Sequence, residues 1–503
     1  MRNAILLVAL LCLLGSPALA EPPTTAPATQ PAEKPKGDSD KLSVTEHEIT
    51  IDGKPLKYRA TAGRLAVHDD ADKPKADFFF VAYEKLPAAD DPSKRPVTFV
   101  FNGGPGAAAV WLHLGAVGPE RVALDAATDL PATPYHLEEN PDTWLPATDL
   151  VFIDPVGTGY SRPAEGEKIE QFFGVHEDVK WVAAFIRLYI TRYQRWLSPK
   201  YLAGESYGTT RAAGLSDYLL EADGINLDGI VLISSVLNFQ TIEPQPGNDL
   251  PYVLYLPSYA AVAWYYHKLA PDLQADLQKT VAQAGQWAQE SYAPALAAGS
   301  ALPADQRATI VKNLARFSGL PLEYIEKANL RIRPDRFEAA LLASEQKIIG
   351  RYDGRIAGFN PDPLQSSANY DPSLSPYLAA YTATFNDYVR RELKYENDLQ
   401  YQVLAGVGPW DMGTEGGGFL DVSQDLQRAM INNPPLRVMF VSGYFDLATP
   451  FATATYTIDH MALSPELRQH ISHNYYEGGH MVYHHRPSLE KLSADVRDFM
   501  QEP

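Results

Sequence analysis

Gly204-Glu205-Ser206-Tyr207-Gly208 lies between a short strand-like run, Lys200–Ala203, and a helix-like one, Thr209–Leu220. Gly-x-Ser-x-Gly in that setting is a nucleophile elbow: a turn so tight that glycines must relieve it, which lifts the serine hydroxyl clear of a sheet. The chemistry it suits is acyl transfer through a covalent serine intermediate. A serine hydroxyl is a weak nucleophile near neutrality and needs a base within hydrogen-bond reach. Enzymes built on this elbow supply the partners in the chain order Ser, acid, His. Asp446 ends Gly443-Tyr444-Phe445-Asp446, just past the strand-like run Leu436–Ser442, and His480 ends the loop Glu477-Gly478-Gly479-His480 after Ile471–Tyr476. Ser206, Asp446 and His480 are therefore the expected triad.

Of the twelve histidines, His484 and His485 are the near rivals to His480, and His113 is placed to line the cleft; the rest read as surface or packing residues. Asp154 also ends a strand-like run, but it precedes the serine and reads as a residue that shapes its loop. The remaining need is an oxyanion hole. Val97–Phe101 runs into Asn102-Gly103-Gly104-Pro105-Gly106, whose glycines let backbone N–H groups face a substrate oxygen. The expected donors are the N–H groups of Gly104 and Tyr207, each worth about 3 kcal/mol at the transition state.

The elements that must hold these residues are short apolar runs alternating with helical stretches. Ser43–Ile51, Lys57–Val67, Ala76–Tyr83, Pro96–Phe101, Asp149–Ile153, Gly229–Ser234, Leu436–Ser442 and Ile471–Tyr476 read as strands. Val175–Trp196, Thr210–Ala222 and Ser488–Met500 read as helices. Several of these strands are apolar throughout, as strands covered on both faces are, so the expectation is an α/β fold with a mostly parallel sheet. Residues 238–433 differ in character: helix-rich (Ser258–Leu269, Asp272–Gln289, Ala304–Phe317, Asp335–Ala343, Tyr377–Lys394), with irregular stretches at Gly354–Pro363 and Gly413–Gly418. They read as a helical cap inserted into a core made of 41–237 and 434–503. Its aromatic residues Tyr255, Tyr259, Trp264, Tyr265 and Tyr266 read as packing.

The chain of 503 residues is 45% hydrophobic and 21% charged, with a net charge of −19 and no basic cluster. That balance argues against nucleic acid and against anionic membrane surfaces as partners. Residues 1–20 read as a secretory signal, with Arg2, an apolar stretch and Ala18-Leu19-Ala20 before Glu21; 21–40 are rich in Pro, Ala and Thr and read as a disordered linker. No apolar run is long enough for membrane insertion. Cys12, the only cysteine, falls within the signal, so disulfides and zinc-thiolate sites are excluded from the mature chain, and an exported protein of this size without them suggests a bacterial periplasm. There is no His-Glu-x-x-His, no phosphate loop and no dinucleotide fingerprint, so neither metal nor cofactor is expected.

Asn102-Gly-Gly-Pro-Gly106, Gly204-Glu-Ser-Tyr-Gly208, Gly443-Tyr-Phe-Asp446 and Gly478-Gly-His480-Met481, in this order, resemble the signatures of the serine carboxypeptidases (peptidase family S10). The resemblance implies an α/β-hydrolase fold and release of single C-terminal residues from peptide substrates, and the cysteine-free mature chain looks like a bacterial exported member. By motif it gives Ser206 the role of nucleophile, His480 of base and Asp446 of orienting acid, with Gly104 and Tyr207 at the oxyanion. Asn102, Gly103 and Glu205 are similar to the family's binding site for the substrate's terminal carboxylate. Beside an anion Glu205 must be protonated to donate a hydrogen bond, which implies an acidic working range whose acid edge is set by His480. The chain departs from the pattern where a second glutamate is usual: that position is Ala116, and the cysteine usual after the glycine loop is Ala107. An esterase or acyltransferase using the same triad is the second reading, and an inactive exported binding protein the third.

Overall fold

The structure is a computed structural model and describes residues 41–362, 370–414 and 417–501. The expected signal (1–20) and linker (21–40) lie outside the described residues.

Ten strands form one sheet: β1 (Ser43–Ile51), β2 (Lys54–His68), β3 (Pro74–Leu86), β4 (Val97–Phe101), β5 (Asp149–Ile153), β6 (Arg162–Pro163), β7 (Lys200–Glu205), β8 (Gly229–Ile233), β9 (Arg437–Gly443) and β10 (Ile471–Tyr476). The spatial order is β1-β2-β3-β5-β4-β7-β8-β9-β10, with β6 beside β3. β1 to β3 are antiparallel, and β3 joins antiparallel to β5. From β5 to β10 every pairing is parallel. All of these parallel strands therefore deliver their carboxyl ends to one edge, where ligand sites of such sheets collect.

Alternation along the central strands explains why the sheet is covered twice. On β8, Val231 and Ile233 enter one core while Ile230 and Leu232 enter the other. Helices α1 (Val175–Arg192) and α2 (Tyr207–Asp223) cover the second face. Three further helices within the segment 238–433 are α3 (Leu250–Tyr265), α4 (Leu277–Trp287) and α5 (Ala304–Ser318), which share a separate apolar core. The same segment also contributes α6 (Ser375–Arg391) to the first sheet face and α7 (Ser423–Asn432) to the second. α8 (Phe451–His460) and α9 (Arg486–Gln501) complete the two faces.

Two helices differ from expectation for identifiable reasons. α3 begins at Leu250 rather than Ser258 and runs through Pro257. An interior proline costs about 3 kcal/mol, but thirteen of the sixteen residues, from Pro251 to Ala263, are buried, and that burial offsets the lost hydrogen bond. The stretch expected as one helix over 272–289 is broken, because the Asp276 side chain accepts a hydrogen bond from the Lys279 N–H and caps a fresh start at Leu277. Among the described residues no helix is long and apolar enough to cross a membrane.

Candidate active site

β7 ends at Glu205 and α2 begins at Tyr207, leaving Ser206 alone to turn the chain. It does so at φ 58° and ψ −130°, a region non-glycine residues rarely enter. The turn is held by the Ser206 N–H donating to the Ile233 carbonyl at 3.0 Å. The glycine loop after β4 runs directly against it: a Cβ on Gly103 would lie 2.4 Å from the Tyr207 nitrogen. Only glycine permits that approach, which puts the Gly103-Gly104 backbone beside the first N–H groups of α2.

Arg211, on α2, secures the same corner from below. Its Nε donates to Asp178 Oδ2 at 2.8 Å and a terminal nitrogen donates to the Asn102 carbonyl at 2.6 Å, with both side chains of the ion pair at most 3% exposed. Arg211→Ala is expected to cost about 3–5 kcal/mol, because it strands a buried carboxylate. Urea denaturation checks this, and an unchanged midpoint would contradict it.

Past β9, Asp446 is fully buried and His480, past β10, is 2% exposed. His480 Nδ1 lies 2.9 Å from Asp446 Oδ2. Asp446 Oδ1 accepts from the N–H groups of Ala448 (2.8 Å) and Thr449 (2.9 Å), and the Thr449 hydroxyl lies 2.8 Å from Oδ2. The carboxylate is thus oriented from three sides, and its bond to Nδ1 leaves Nε2 as the imidazole's acceptor. Burial alone would lower the imidazole pKa, but Asp446, by charge and hydrogen bond, and Glu205, by charge, raise it overall. Ser206 and His480 line one open cavity of about 820 Å³.

Asn102, Gly103, Gly104, Glu205 and Tyr207 line the same cavity. Glu205 is 5% exposed, and burial pushes its carboxyl up to about 7. Asn102 Oδ1 accepts from the Leu112 N–H at 3.0 Å; its amide nitrogen sits beside Glu205 without a well-formed hydrogen bond. The Glu205 partner is Tyr483, whose hydroxyl donates to Oε2 at 2.6 Å. Ala116 is fully buried. At the adjoining Gly115 a Cβ would meet the Tyr381 hydroxyl and the Tyr483 ring at 2.5 Å, so tyrosines fill the space next to Ala116.

Two further residues of the site, Tyr483 and Thr449, lie three positions beyond His480 and Asp446, close enough in sequence to be found from them. Arg351 and Tyr352 line the cavity from an irregular stretch without periodicity, which carries no sequence signal. His113 does not line the cleft. Its ring stacks on Phe152 at 4.2 Å and Nε2 lies 2.6 Å from the Tyr83 hydroxyl, because its helical turn points it into the aromatic core. His484 stacks on Tyr377 at 4.0 Å and His485 Nδ1 lies 2.8 Å from Ser488 Oγ. Asp154 accepts from the Ala109 N–H at 2.8 Å and from Tyr401 at 3.2 Å, tying loops together. Tyr259 stacks on Phe337 at 4.0 Å within the core of α3–α5. Among the described residues no group of three or more His, Cys, Asp or Glu is placed to hold a metal ion.

The family model described as serine carboxypeptidase matches residues 52–483. Serine carboxypeptidase-like 34 of Arabidopsis thaliana is 28% identical over 200 residues, 37% of this chain and 37% of that protein. The pheromone-processing carboxypeptidase KEX1 of Phytophthora infestans is 28% identical over 193 residues, 35% of this chain and 29% of that protein. The aligned stretches thus span only 29% to 37% of these relatives' length. The crystal structure of a prohormone-processing carboxypeptidase from Saccharomyces cerevisiae superposes with a TM-score of 0.55 at 17% identity, covering 88% of this chain and 91% of that one. The fold is the α/β-hydrolase fold.

Proposed function

This chain belongs to the serine carboxypeptidase family, and from that we propose that it releases C-terminal amino acids from peptides through an acyl-enzyme. One observation carries the reading: Ser206, His480 and Glu205 line the same cavity. Ser206 Oγ attacks the last peptide carbonyl while His480 Nε2 takes its proton and passes it to the leaving amine. Asp446 holds the imidazole in the tautomer that can do so, and water then deacylates the serine. The N–H groups of Gly104 and Tyr207 receive the oxyanion. Asn102, Gly103 and a protonated Glu205 hold the terminal carboxylate. The segment 238–433 forms the cap, and residues 1–20 direct export, as for a bacterial periplasmic protein. The test uses peptides with free and amidated C-termini. Fluorophosphonate labelling of Ser206 with a strong preference for the free terminus is the expected result. Labelling with equal rates on both would leave the esterase or acyltransferase reading, and absence of labelling at any pH would sink both.

The titrations give this reading a pH signature. Glu205, pushed up to about 7, donates to a carboxylate only below that value, so activity on free peptides is expected to fall above pH 7. His480 must be neutral, and its raised pKa sets the acid limb. Protonating Glu205 removes one of the charges that raise it, which widens the window toward acid. Glu205→Gln is always a donor, so it should abolish the alkaline limb and leave the acid limb where a neutral Glu205 already puts it. Tyr483 holds the Glu205 pKa down through its hydrogen bond, so Tyr483→Phe should move the alkaline limb up. Profiles of kcat/KM against pH decide this: an alkaline limb unchanged in Glu205→Gln means that another group sets it.

A further inference from the structure

Arg351 comes from the segment between α5 and α6 and lines the cavity that holds Ser206, Glu205 and His480. Its backbone is fixed on both sides: the carbonyl accepts from the Leu447 N–H at 3.1 Å, and its own N–H donates to Asp371 Oδ2 at 3.3 Å. The guanidinium lies over the Tyr352 ring, 5.4 Å from its centroid. A guanidinium held over a ring face still has its N–H groups for an acceptor in its own plane. Among the described residues none supplies that acceptor: the side chain makes no hydrogen bond or ion pair, whereas Arg355, one turn of chain away, is tied to Asp353 at 2.7 Å. Glu338, whose charge reaches Arg351, does not pair with it; burial pushes that carboxyl up to about 8 and its Oε1 has no partner. A planar fork of five donors, held against an aromatic ring and open to the cavity, matches a carboxylate in shape and charge.

We propose that Arg351 receives a carboxylate of the bound peptide and makes this cleft selective for substrates that present one there. The proposal rests on the carboxypeptidase reading and names a substrate class within it. Two parts of a peptide carry this group: the terminal α-carboxylate and the side chain of an Asp or Glu beside the scissile bond.

The test compares the wild type with Arg351→Met, Arg351→Lys and Arg351→Glu on N-acylated dipeptides. These carry Ala, Gln, Glu or Lys at either position, each with a free or amidated C-terminus. Relative to substrates without the group, Arg351→Met should lower kcat/KM by about 10- to 100-fold on the carboxylate-bearing class, the range of a charged hydrogen bond. Arg351→Lys should keep part of the preference, and Arg351→Glu should turn it toward Lys. Loss confined to Glu against Gln identifies the side chain as the source; loss on every free C-terminus, with amides spared, identifies the α-carboxylate. Only ratios between substrates are read, since Arg351 also depresses the His480 pKa and its removal shifts all rates together. If the wild type and all three variants rank the substrates alike, the proposal is wrong. Fluorophosphonate labelling of Ser206, run in parallel, reports whether each variant is folded, and the wild type's preference for free over amidated C-termini reports separately on the carboxypeptidase reading.

Discussion

Ser206→Ala is expected to lower kcat by about 10⁶-fold, the scale seen when a triad nucleophile is removed, and to abolish fluorophosphonate labelling. The loss should be chemical rather than structural. The turn at φ 58° and the Ser206 N–H bond to Ile233 are backbone features, and alanine, like serine, is held there by the surrounding strand and helix. Peptide binding and the melting temperature should therefore stay near wild type. Fluorophosphonate titration and a full progress curve measure the loss, and a thermal melt with a peptide-binding isotherm measures what is kept. Residual activity within about 100-fold of the wild type would mean that the nucleophile lies elsewhere.

Asp446→Asn is expected to lower kcat by about 10⁴-fold with little change in stability. The geometry supplies the reason. Oδ1 accepts two backbone N–H bonds, from Ala448 and Thr449, and the asparagine oxygen will keep that place. Its NH₂ must then face His480 Nδ1, which can no longer be protonated there, so the proton moves to Nε2 and the base is lost. Because Asp446 raises the imidazole pKa, the remaining activity should show its acid limb at lower pH. A variant with full activity, or with an unmoved acid limb, would separate Asp446 from the imidazole it contacts.

Much of this arrangement is legible in the chain because it is local. β1, β5 and β10 occupy the expected spans, since apolar runs bounded by turn residues leave little freedom. The elbow and the glycine loop are recognisable because close backbone approach admits few residue types. What was not legible depends on distant packing. α3 crosses Pro257 because its surroundings are apolar on every side, and no local rule states that. The Tyr483 partner of Glu205 depends on the end of β7 meeting the turn after β10, residues far apart in the chain. Arg351 lies in an irregular stretch whose position is set by contacts with the loop after β9, not by periodicity.

The four residues Arg351–Gly354 form a strap across that edge of the sheet. The Arg351 carbonyl takes the Leu447 N–H, the Tyr352 carbonyl takes the His480 N–H at 2.5 Å, and the Gly354 N–H binds the Phe445 carbonyl at 2.9 Å. At Gly479 a Cβ would collide with the Tyr352 carbonyl at 2.3 Å, so the fit tolerates no side chain. A piece of the segment 238–433 is thus stitched to the loops carrying both Asp446 and His480. Chimeras that swap this segment between relatives should disturb the proposed proton relay unless the stitch travels with it, so any tuning of substrate choice there would be mechanically bound to the placement of Asp446 and His480.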